Sequence, residues 1–471
     1  MESAKELDEY LAKNKKPKGP LHGLPVSLKD QFHVKGVDTH MGYVGWIGTF
    51  QGKKHTGKEK MFESEMVKEL RQLGAVLYVK TAVPHTLMSG ETTNNIIEYC
   101  WNPTNRNLSC GGSSGGEGAL IALKGSPVGF GTDIGGSIRI PAAFNGLYGL
   151  RPSSGRLPYE GMANSLDGAP SILSVVGPLA PNATALKLVT TSLLSTKPWL
   201  HDPLVNPMPW QAQIEEETLH LAQDGKLVFA ILRHDGVCAV HPPVARALEE
   251  LAKKLVAQGH KVIEWKPPSH KKLADLAAKA FTYDGGADLR KAFELSGEPP
   301  KPNLIGIEEA PQANATDIME VQVEKREAQK EYMEYWNSTE EHTGTGRPVD
   351  GVIAPLAPFA AARPGKFTGI NYSCIVNVLD YTTVVVPITK ADKTMDKAYE
   401  DFKPLDEKDR VTQETCKYPK ARRCMAWSSL THDNTDDAEV YDGAHVGLQI
   451  IGRKLDEEKM VAIAQYVEKI L

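Results

Sequence analysis

Short apolar runs alternate with amphipathic stretches along most of the chain, and both kinds of segment end at glycines or polar turns. An apolar run such as Leu227–Leu232 is typical of a buried strand, whereas apolar residues recur at helical spacing from Val244 to Leu255. Strands are predicted at 23–28, 75–79, 128–130, 227–232, 261–265, 352–354 and 383–386, and helices at 3–11, 58–73, 114–124, 244–258 and from 456 onward. The alternation predicts an α/β fold: one α/β/α domain over residues 1–471, with a mixed central sheet covered by helices on both faces.

Three segments stand outside this alternation. Residues 318–336 predict a charged helix that we expect to be exposed. Residues 390–438 are rich in Asp, Lys and Thr and predict a polar surface elaboration. At the start of the chain, Ser3 followed by Glu6 predicts a capping box in the first turn of a short helix. All three lie outside the predicted layered core.

The composition is that of an ordinary globular protein, with 41% hydrophobic and 24% charged residues and a net charge of −5. No long basic block occurs, so we expect no nucleic-acid partner. No apolar run approaches the length of a membrane-spanning helix, and we expect no membrane span. The charged start of the chain does not have the apolar core of a secretory signal, which favours a cytoplasmic location.

The six cysteines show no C-x-x-C pair and no Cys/His spacing of a zinc site. This usage is typical of a reducing compartment, in which thiols stay free. We therefore expect neither a metal ion nor another cofactor.

Two serines, Ser113 and Ser137, each lie in a glycine-rich turn, 24 positions apart. Because glycine has no Cβ, backbone N–H groups in such a turn can point together at a small anion. In GTDIGGSIRIP, the N–H groups of Ile134, Gly135, Gly136 and Ser137 converge if the turn is tight. A serine beside such donors is a candidate nucleophile with its own oxyanion hole, which points to acyl transfer.

Other interpretations of these turns are open from the residues alone. Either segment can be a simple flexible turn. A phosphate loop requires G-x-x-x-x-G-K-[ST] or G-x-G-x-x-G after a strand, and neither pattern occurs here. Gly111-x-Ser113-x-Gly115 matches the nucleophile elbow of α/β-hydrolases, but the polar NPTNRNLSC stands where that elbow needs a buried strand.

Lys29 is a candidate base, because it follows the apolar LPVSL and lies next to Asp30. An unperturbed lysine has a pKa of about 10.4 and is almost wholly charged at pH 7. Burial disfavours the charged form and makes the neutral amine available as a base. A base of this kind predicts activity that rises on the alkaline side.

Three segments, GLPVSLKD, GGSSGGEGALIA and GTDIGGSIRIPAAFNGLYGLRPS, together resemble the amidase signature family in their order and spacing. The C-terminal GLQIIGRKLDEEKM resembles the closing segment of that family, so the resemblance covers nearly the whole chain, with its core at about 23–160. PLHGLPVSLKDQFHVKGVDTHMGYVGWIGTF is most similar to the fungal acetamidase-type branch.

The resemblance implies a Ser-Ser-Lys triad. In it, Ser137 is the nucleophile, Ser113 relays its proton after a cis Gly112–Ser113 peptide, and Lys29 is the terminal base. It further implies an oxyanion hole at residues 134–137, a supporting hydroxyl at Ser114, loop-holding charges at Asp133 and Arg139, and an acyl-pocket position at Leu87, which is equally readable as a core leucine. The loops 43–46 and 367–381 are expected to shape that pocket.

The expected activity is hydrolysis of a small aliphatic or aryl amide to a carboxylate and ammonia or an amine, through an acyl-enzyme. Two alternatives stay open: an amidotransferase subunit that releases ammonia from glutamine for a partner, and a non-catalytic, truncated amidase-like binding protein. Family members usually carry several helices ahead of the lysine, but only 28 residues precede Lys29. We expect a shortened N-terminal helical region, in a family where such helices often contribute to dimerisation, and we consider a homodimer.

Overall fold

A twelve-strand, fifteen-helix arrangement is seen in the computed structural model, which describes residues 2–399, 402–414 and 437–471. The strands are β1 Pro25–Lys29, β2 Val76–Thr81, β3 Thr93–Asn94, β4 Glu98–Tyr99, β5 Gly129–Asp133, β6 Tyr148–Arg151, β7 Val175–Ala180, β8 Val228–Ile231, β9 Lys261–Glu264, β10 Gly351–Pro355, β11 Thr383–Lys390 and β12 His445–Ile451. The helices are α1 Glu2–Asn14, α2 Glu65–Gln72, α3 Gly115–Ala122, α4 Arg139–Phe144, α5 Ala183–Ser195, α6 Ala212–Gln223, α7 Pro242–Ala257, α8 His270–Ala280, α9 Ala287–Glu294, α10 Ala315–Ser338, α11 Glu340–Thr343, α12 Asn371–Leu379, α13 Glu407–Glu414, α14 Asp437–Tyr441 and α15 Glu457–Ile470. None of the helices in these ranges is long and apolar enough to cross a membrane.

Ten of the strands form one sheet, in the order β2-β1-β5-β7-β6-β11-β12-β10-β8-β9. The pairs near the two edges are parallel, β2 with β1, β1 with β5, β10 with β8 and β8 with β9. The pairs from β5 through to β10 are antiparallel. The predicted mixed sheet is therefore confirmed.

Side chains from both faces of the sheet are buried under helices. In β8, Phe229 and Ile231 belong to one hydrophobic cluster, whereas Val228 and Ala230 belong to another, as the alternation of a strand requires. The first cluster includes apolar residues of α5, α7 and α15, and the second includes those of α8, α10 and α12. Helices thus cover both faces, as predicted.

The parallel pair β1–β5 positions the candidate site. In this pair Ser27 is aligned with Gly129 and Leu28 with Phe130, so both strands run to the same edge of the sheet. Lys29 is the last residue of β1, and Asp133 is the last residue of β5. Sites in α/β sheets form outside such carboxyl ends, and this edge brings distant parts of the chain together.

Two predicted helix starts differ from the structure. α2 begins at Glu65 rather than at residue 58, because Phe62 packs edge-on against His33 in a turn instead of continuing the helix. α1 begins at Glu2, so Ser3 lies inside the helix and is not its N-cap, and the predicted capping box is wrong.

The charged helix predicted at 318–336 exists as α10, but its expected exposure is only partly correct. Val321, Ala328, Tyr332 and Trp336 are buried and lie on one side of the helix. This stripe packs into the second hydrophobic cluster. The many charged residues on the other side of the helix make the stripe difficult to recognise in the sequence.

The polar segment at 390–438 is described only in part, since residues 400–401 and 415–436 lie outside the described residues. Its described portion is not purely superficial. Asp409 of α13 is fully buried, and its Oδ1 accepts a hydrogen bond of 2.9 Å from the Ala239 N–H. This carboxylate anchors the segment to the loop before α7.

Candidate active site

Lys29 is fully buried at the end of β1, where its apolar neighbours Val26 and Leu28 hold the strand in the core. Its Nζ donates hydrogen bonds to Ser113 Oγ at 2.8 Å and to Thr132 Oγ1 at 2.6 Å. Burial lowers the pKa of Lys29 to about 7, although the negative charges of Asp133 and Glu117 act in the opposite direction. A large fraction of this amine is therefore neutral near neutral pH.

Ser113 is brought over Lys29 by the turn that leads into α3. The peptide bond between Gly112 and Ser113 is cis, as the family resemblance implies. Gly116 allows the first turn of α3 to approach the end of β2, because a Cβ there would lie 2.4 Å from the Ala82 N atom. Ser113 is 1% exposed, so its hydroxyl meets Lys29 out of contact with bulk water.

Thr132 and Gln31 hold the lysine from the other side. The Thr132 hydroxyl donates to Gln31 Oε1 at 2.7 Å, and this leaves its oxygen free to accept from Lys29 Nζ. One N–H of the Lys29 amine is thus bonded to Thr132, and the amine makes its second hydrogen bond with Ser113. Neither residue is predicted from the sequence, in which Thr132 precedes Asp133 and Gln31 follows Asp30.

Ser137 lies in the turn between β5 and α4. The two glycine-rich turns are joined directly, because the Ser114 N–H donates to the Ser137 carbonyl oxygen at 3.1 Å. The Ser114 hydroxyl accepts from the Thr132 N–H at 3.3 Å, so it supports the end of β5. The Ser137 hydroxyl makes no hydrogen bond to another described residue, and Ser137 lines a cavity.

The backbone donors of this turn are divided between two directions. The Gly136 N–H donates to Asp133 Oδ1 at 2.9 Å, so it is not directed at the cavity. The N–H groups of Ile134, Gly135 and Ser137 have no acceptor among the described residues. The turn requires glycine at 136, where φ is +131° and a Cβ would lie 2.8 Å from Ser373 Oγ. Three free donors thus replace the four expected from the sequence.

Asp133 and Arg139 form a fully buried ion pair beneath the turn, with Arg139 Nε 3.0 Å from Asp133 Oδ2. Burial favours the neutral carboxyl, but the Arg139 charge and its hydrogen bonds outweigh this and hold the pKa of Asp133 well below its ordinary value. Asn377 donates to Asp133 Oδ1 at 2.8 Å and accepts from Arg139, whose other nitrogen reaches Gln449 Oε1 at 2.9 Å. No local motif pointed to Asn377 or Gln449.

We expect Asp133→Asn to lower both stability and turnover. The substitution leaves Arg139 buried without its countercharge, and breaking a buried pair in this way costs about 3–5 kcal/mol. It also weakens the acceptor that holds the Gly136 N–H. Thermal melting and acetamide hydrolysis measure the two effects.

Glu458→Gln is the control, because it removes one of the two buried carboxylates that pair with the fully buried Arg156, outside the turn. This variant should unfold at a lower temperature than the parent protein. Assayed below that temperature, it should keep the kcat/KM of the parent protein. If Asp133→Asn also retained full kcat/KM, Asp133 would have no positioning role.

Glu117 of α3 is a further buried acid near the lysine. Its carboxylate accepts from Ser27 Oγ at 2.5 Å and from Thr81 Oγ1 at 2.7 Å. Burial raises the pKa of Glu117 to about 7, and the Lys29 charge only partly offsets this. Glu117 is not predicted from the sequence, because its helix has the pattern of an ordinary apolar helix.

The cavity at Ser137, called the acyl cavity below, is small and apolar. Its walls include Leu87, Met88, Gly135, Ile140, Phe281, Ile305 and Ile370. Its volume is about 20 Å³, enough room for about one water molecule. Leu87 is part of this wall, and the loop 367–381 contributes Ile370.

The other loop expected to shape this cavity does not line it. Tyr43 and Trp46 belong to a separate hydrophobic cluster, against which Leu87 packs. The aromatic rings of Tyr43 and Phe293 meet edge to face, with centroids 5.5 Å apart. The loop 43–46 thus supports Leu87 from behind, which corrects the sequence-based expectation.

Comparison with known proteins gives one consistent result. A family model described as Amidase matches residues 1–461. The chain is 45% identical to an acetamidase of Aspergillus oryzae over 99% of this chain and 81% of that protein. It is 44% identical to an acetamidase of Emericella nidulans over 99% of this chain and 80% of that protein.

Solved structures agree with this result. A fatty acid amide hydrolase is similar with a TM-score of 0.85 and 31% identity, over 100% of this chain and 76% of that chain. A bacterial aryl acylamidase of the amidase signature family has a TM-score of 0.72 at 20% identity, over 100% of this chain and 86% of that chain, and supports the fold alone.

Proposed function

This chain belongs to the amidase family and hydrolyses amides, and we propose that it does so through Lys29, Ser113 and Ser137 on amides with short acyl groups. The observation that carries the proposal is the 2.8 Å hydrogen bond between Lys29 Nζ and Ser113 Oγ, in a place from which water is excluded. A buried amine with a pKa of about 7 can accept a proton there, whereas a solvated lysine cannot.

Proton transfer runs from Ser137 through Ser113 to Lys29. When Lys29 is neutral, one of its N–H groups stays on Thr132, and its lone pair accepts the Ser113 proton. Ser113 in turn accepts the proton of Ser137, whose Oγ attacks the amide carbonyl carbon. The hydrogen bond from the Ser114 N–H to the Ser137 carbonyl oxygen joins the two turns that carry these serines and supports the transfer.

The tetrahedral intermediate carries an oxyanion, which the free N–H groups of Ile134, Gly135 and Ser137 stabilise. Each donor of this kind typically contributes about 3–4 kcal/mol. The proton on Lys29 returns through Ser113 to the leaving nitrogen, and ammonia or an amine departs from an ester at Ser137 Oγ. Water, deprotonated by the same relay, then releases the carboxylate.

Covalent labelling tests the assignment of the nucleophile. The protein is treated with a fluorophosphonate, digested, and the modified serine located by mass spectrometry. Modification of Ser137 is expected. Modification of Ser113 would favour the α/β-hydrolase type of elbow, and no modification would contradict a serine nucleophile.

The acyl cavity indicates which amides are turned over. Because the cavity has room for about one water molecule, we expect acetamide and propionamide to have higher kcat/KM than hexanamide or benzamide. Ile305→Ala should raise kcat/KM for butyramide relative to acetamide by about tenfold. The substitution removes three side-chain carbons from the apolar wall and so enlarges the cavity.

Ile97→Ala is the matched control, because Ile97 is 46% exposed and does not line the acyl cavity. It should leave the ratio of the two amides unchanged. An unchanged ratio in Ile305→Ala would mean that this wall does not limit the acyl chain.

We further propose that the protein forms a homodimer and that it is located in the cytoplasm. Light scattering after size-exclusion chromatography measures the first, and fractionation of the source cells measures the second. A monomeric mass, or recovery of the protein outside the cytosolic fraction, would contradict them.

A further inference from the structure

A second cavity, with a volume of about 590 Å³, shares no lining residue with the acyl cavity. It lies between α10, the end of α12, the segment before β7 and the loop after β12. Its volume is in the range of small-molecule binding sites, which is about 300–1,000 Å³. We call it the basic cavity, for the residues described next.

Cations dominate the lining of this cavity. The basic residues are Lys325, Arg326, Lys330, Arg453 and Lys454, and the acidic residue is Asp380. Since the whole chain carries a net charge of −5, this concentration of positive charge runs against the average of the protein. A concave surface of one charge attracts ligands of the opposite charge.

Asp380 does not neutralise the remaining cations, because its carboxylate is already occupied. It accepts from Arg151 at 2.9 Å and from the Ser154 N–H at 2.9 Å, and Lys454 Nζ lies 3.0 Å away. Burial favours the neutral form of Asp380, but the Arg151 charge and the Ser154 hydrogen bonds lower its pKa to about 2. Its negative charge is therefore shared between Arg151, outside the cavity lining, and Lys454, and it forms no ion pair with the described cations of α10.

The cations of α10 are available to a ligand. The Arg326 guanidinium has no hydrogen-bond or ion-pair partner among the described residues. Lys330 has an exposed i,i+4 partner, Glu334, at 3.6 Å. The Lys325 amine donates to the Ser171 carbonyl, which holds it at the cavity wall with further donor capacity.

Apolar side chains line the same cavity. Leu173 is 47% exposed and Met333 is 42% exposed, and both face this space together with Leu379. An inorganic anion would leave these surfaces in water. A ligand with an apolar body would cover them, and the flexible Met333 can adapt to its shape.

We propose that the basic cavity binds a small organic anion with a carboxylate or phosphate head group and a short apolar body. Arg326 and Lys325 receive the head group, since a guanidinium pairs two oxygens of either anion at once. Leu173 and Met333 cover the body. The acyl cavity is too small to take such a ligand as an alternative.

Isothermal titration calorimetry with three six-carbon probes tests the proposal on Ser137→Ala protein, in which binding is measured without turnover. Hexanoate and hexyl phosphate carry the two head groups, and hexan-1-ol carries none. We expect at least one of the anions to bind one site, at least about tenfold more tightly than hexan-1-ol. The tighter of the two anions identifies the head group.

Charge reversal locates the binding. Arg326→Glu combined with Lys330→Glu should weaken anion binding at least about tenfold. Both side chains are exposed, so the variant should keep its melting temperature. Lys253→Glu is the control, because Lys253 is exposed on α7 and lies outside both cavities. The affinity of this variant for the anion should stay within about twofold of the affinity before the substitution.

The proposal is overturned if neither anion binds at up to about 10 mM, or if the double charge reversal leaves the affinity unchanged. Since none of these measurements uses turnover, their failure would leave the assignment of Ser137 and Lys29 untouched. Failure of that assignment would likewise leave the basic cavity unaffected.

Discussion

Ser137→Ala should lower kcat/KM for acetamide by at least about 10⁴-fold, because Ser89, the other hydroxyl lining the acyl cavity, is not part of the proposed relay to Lys29. The structure makes this a clean substitution. The Ser137 hydroxyl makes no hydrogen bond to another described residue, so its removal leaves no buried group without a partner. The melting temperature should therefore stay within a few degrees of the parent protein, and activity assays with melting curves measure both quantities.

Two serines provide the comparison. Ser113→Ala should also lose activity, because it interrupts the path from Ser137 to Lys29. Ser89→Ala should lose less than about tenfold, since Ser89 lines the same cavity but its hydroxyl accepts from the Glu91 N–H. If Ser137→Ala retained more than a hundredth of the parent activity, Ser137 would not be the nucleophile.

The second large effect is expected at Lys29. The reaction needs the neutral amine, and burial lowers the pKa of Lys29 to about 7. We therefore expect kcat/KM to rise through pH 7 and level off above it, with the value at pH 6 about tenfold below that at pH 8. Lys29→Met removes the base, and kcat/KM at pH 8 should fall by about 10²–10⁴-fold.

Two variants show whether the pH dependence belongs to Lys29. Glu117 also has a raised pKa of about 7, so it could produce a similar profile. Glu117→Gln keeps an acceptor for Ser27 and Thr81 but does not titrate. The inflection should persist in this variant and move to lower pH, because Asp133 is then the remaining negative charge that raises the pKa of Lys29.

Lys80→Met is the matched lysine control. Lys80 is a partly buried lysine on the neighbouring strand β2, and it forms an ion pair with Asp30 at 2.6 Å. Its loss should reduce stability but leave the shape of the pH profile unchanged. A profile that disappeared in Glu117→Gln, or in Lys80→Met, would mean that Lys29 is not the titrating base.

Lys29 and Lys80 differ in the groups that their amines contact. Both amines are desolvated, but Lys80 touches a carboxylate, whereas Lys29 is hydrogen-bonded to two hydroxyls, Ser113 and Thr132. A carboxylate in contact stabilises the ammonium, and a hydroxyl does so much less. No carboxylate of the described residues contacts the Lys29 amine, and this makes the lysine suited to accept a proton.

The amino-acid sequence determined the features that depend on short stretches of chain. The glycine-rich turns at Ser113 and Ser137, the strand before Lys29 and the helix after Ser114 are local, because backbone freedom and apolar periodicity act over a few residues. Their predicted positions agree with α3, β1 and β5 within about three residues. The family and its amide chemistry could be recognised from these segments.

Tertiary structure alone decided how those segments are supported. Thr132 reaches both Lys29 and Gln31 because β1 and β5 are parallel neighbours, and Asn377 reaches Asp133 across more than two hundred residues of chain. The buried stripe of α10 and the basic cavity likewise depend on the packing of segments that are distant in the chain. Burial, charge balance and hydrogen-bond partners are properties of packed surfaces, and a surface contributed by distant strands and helices has no signature in any one stretch of sequence.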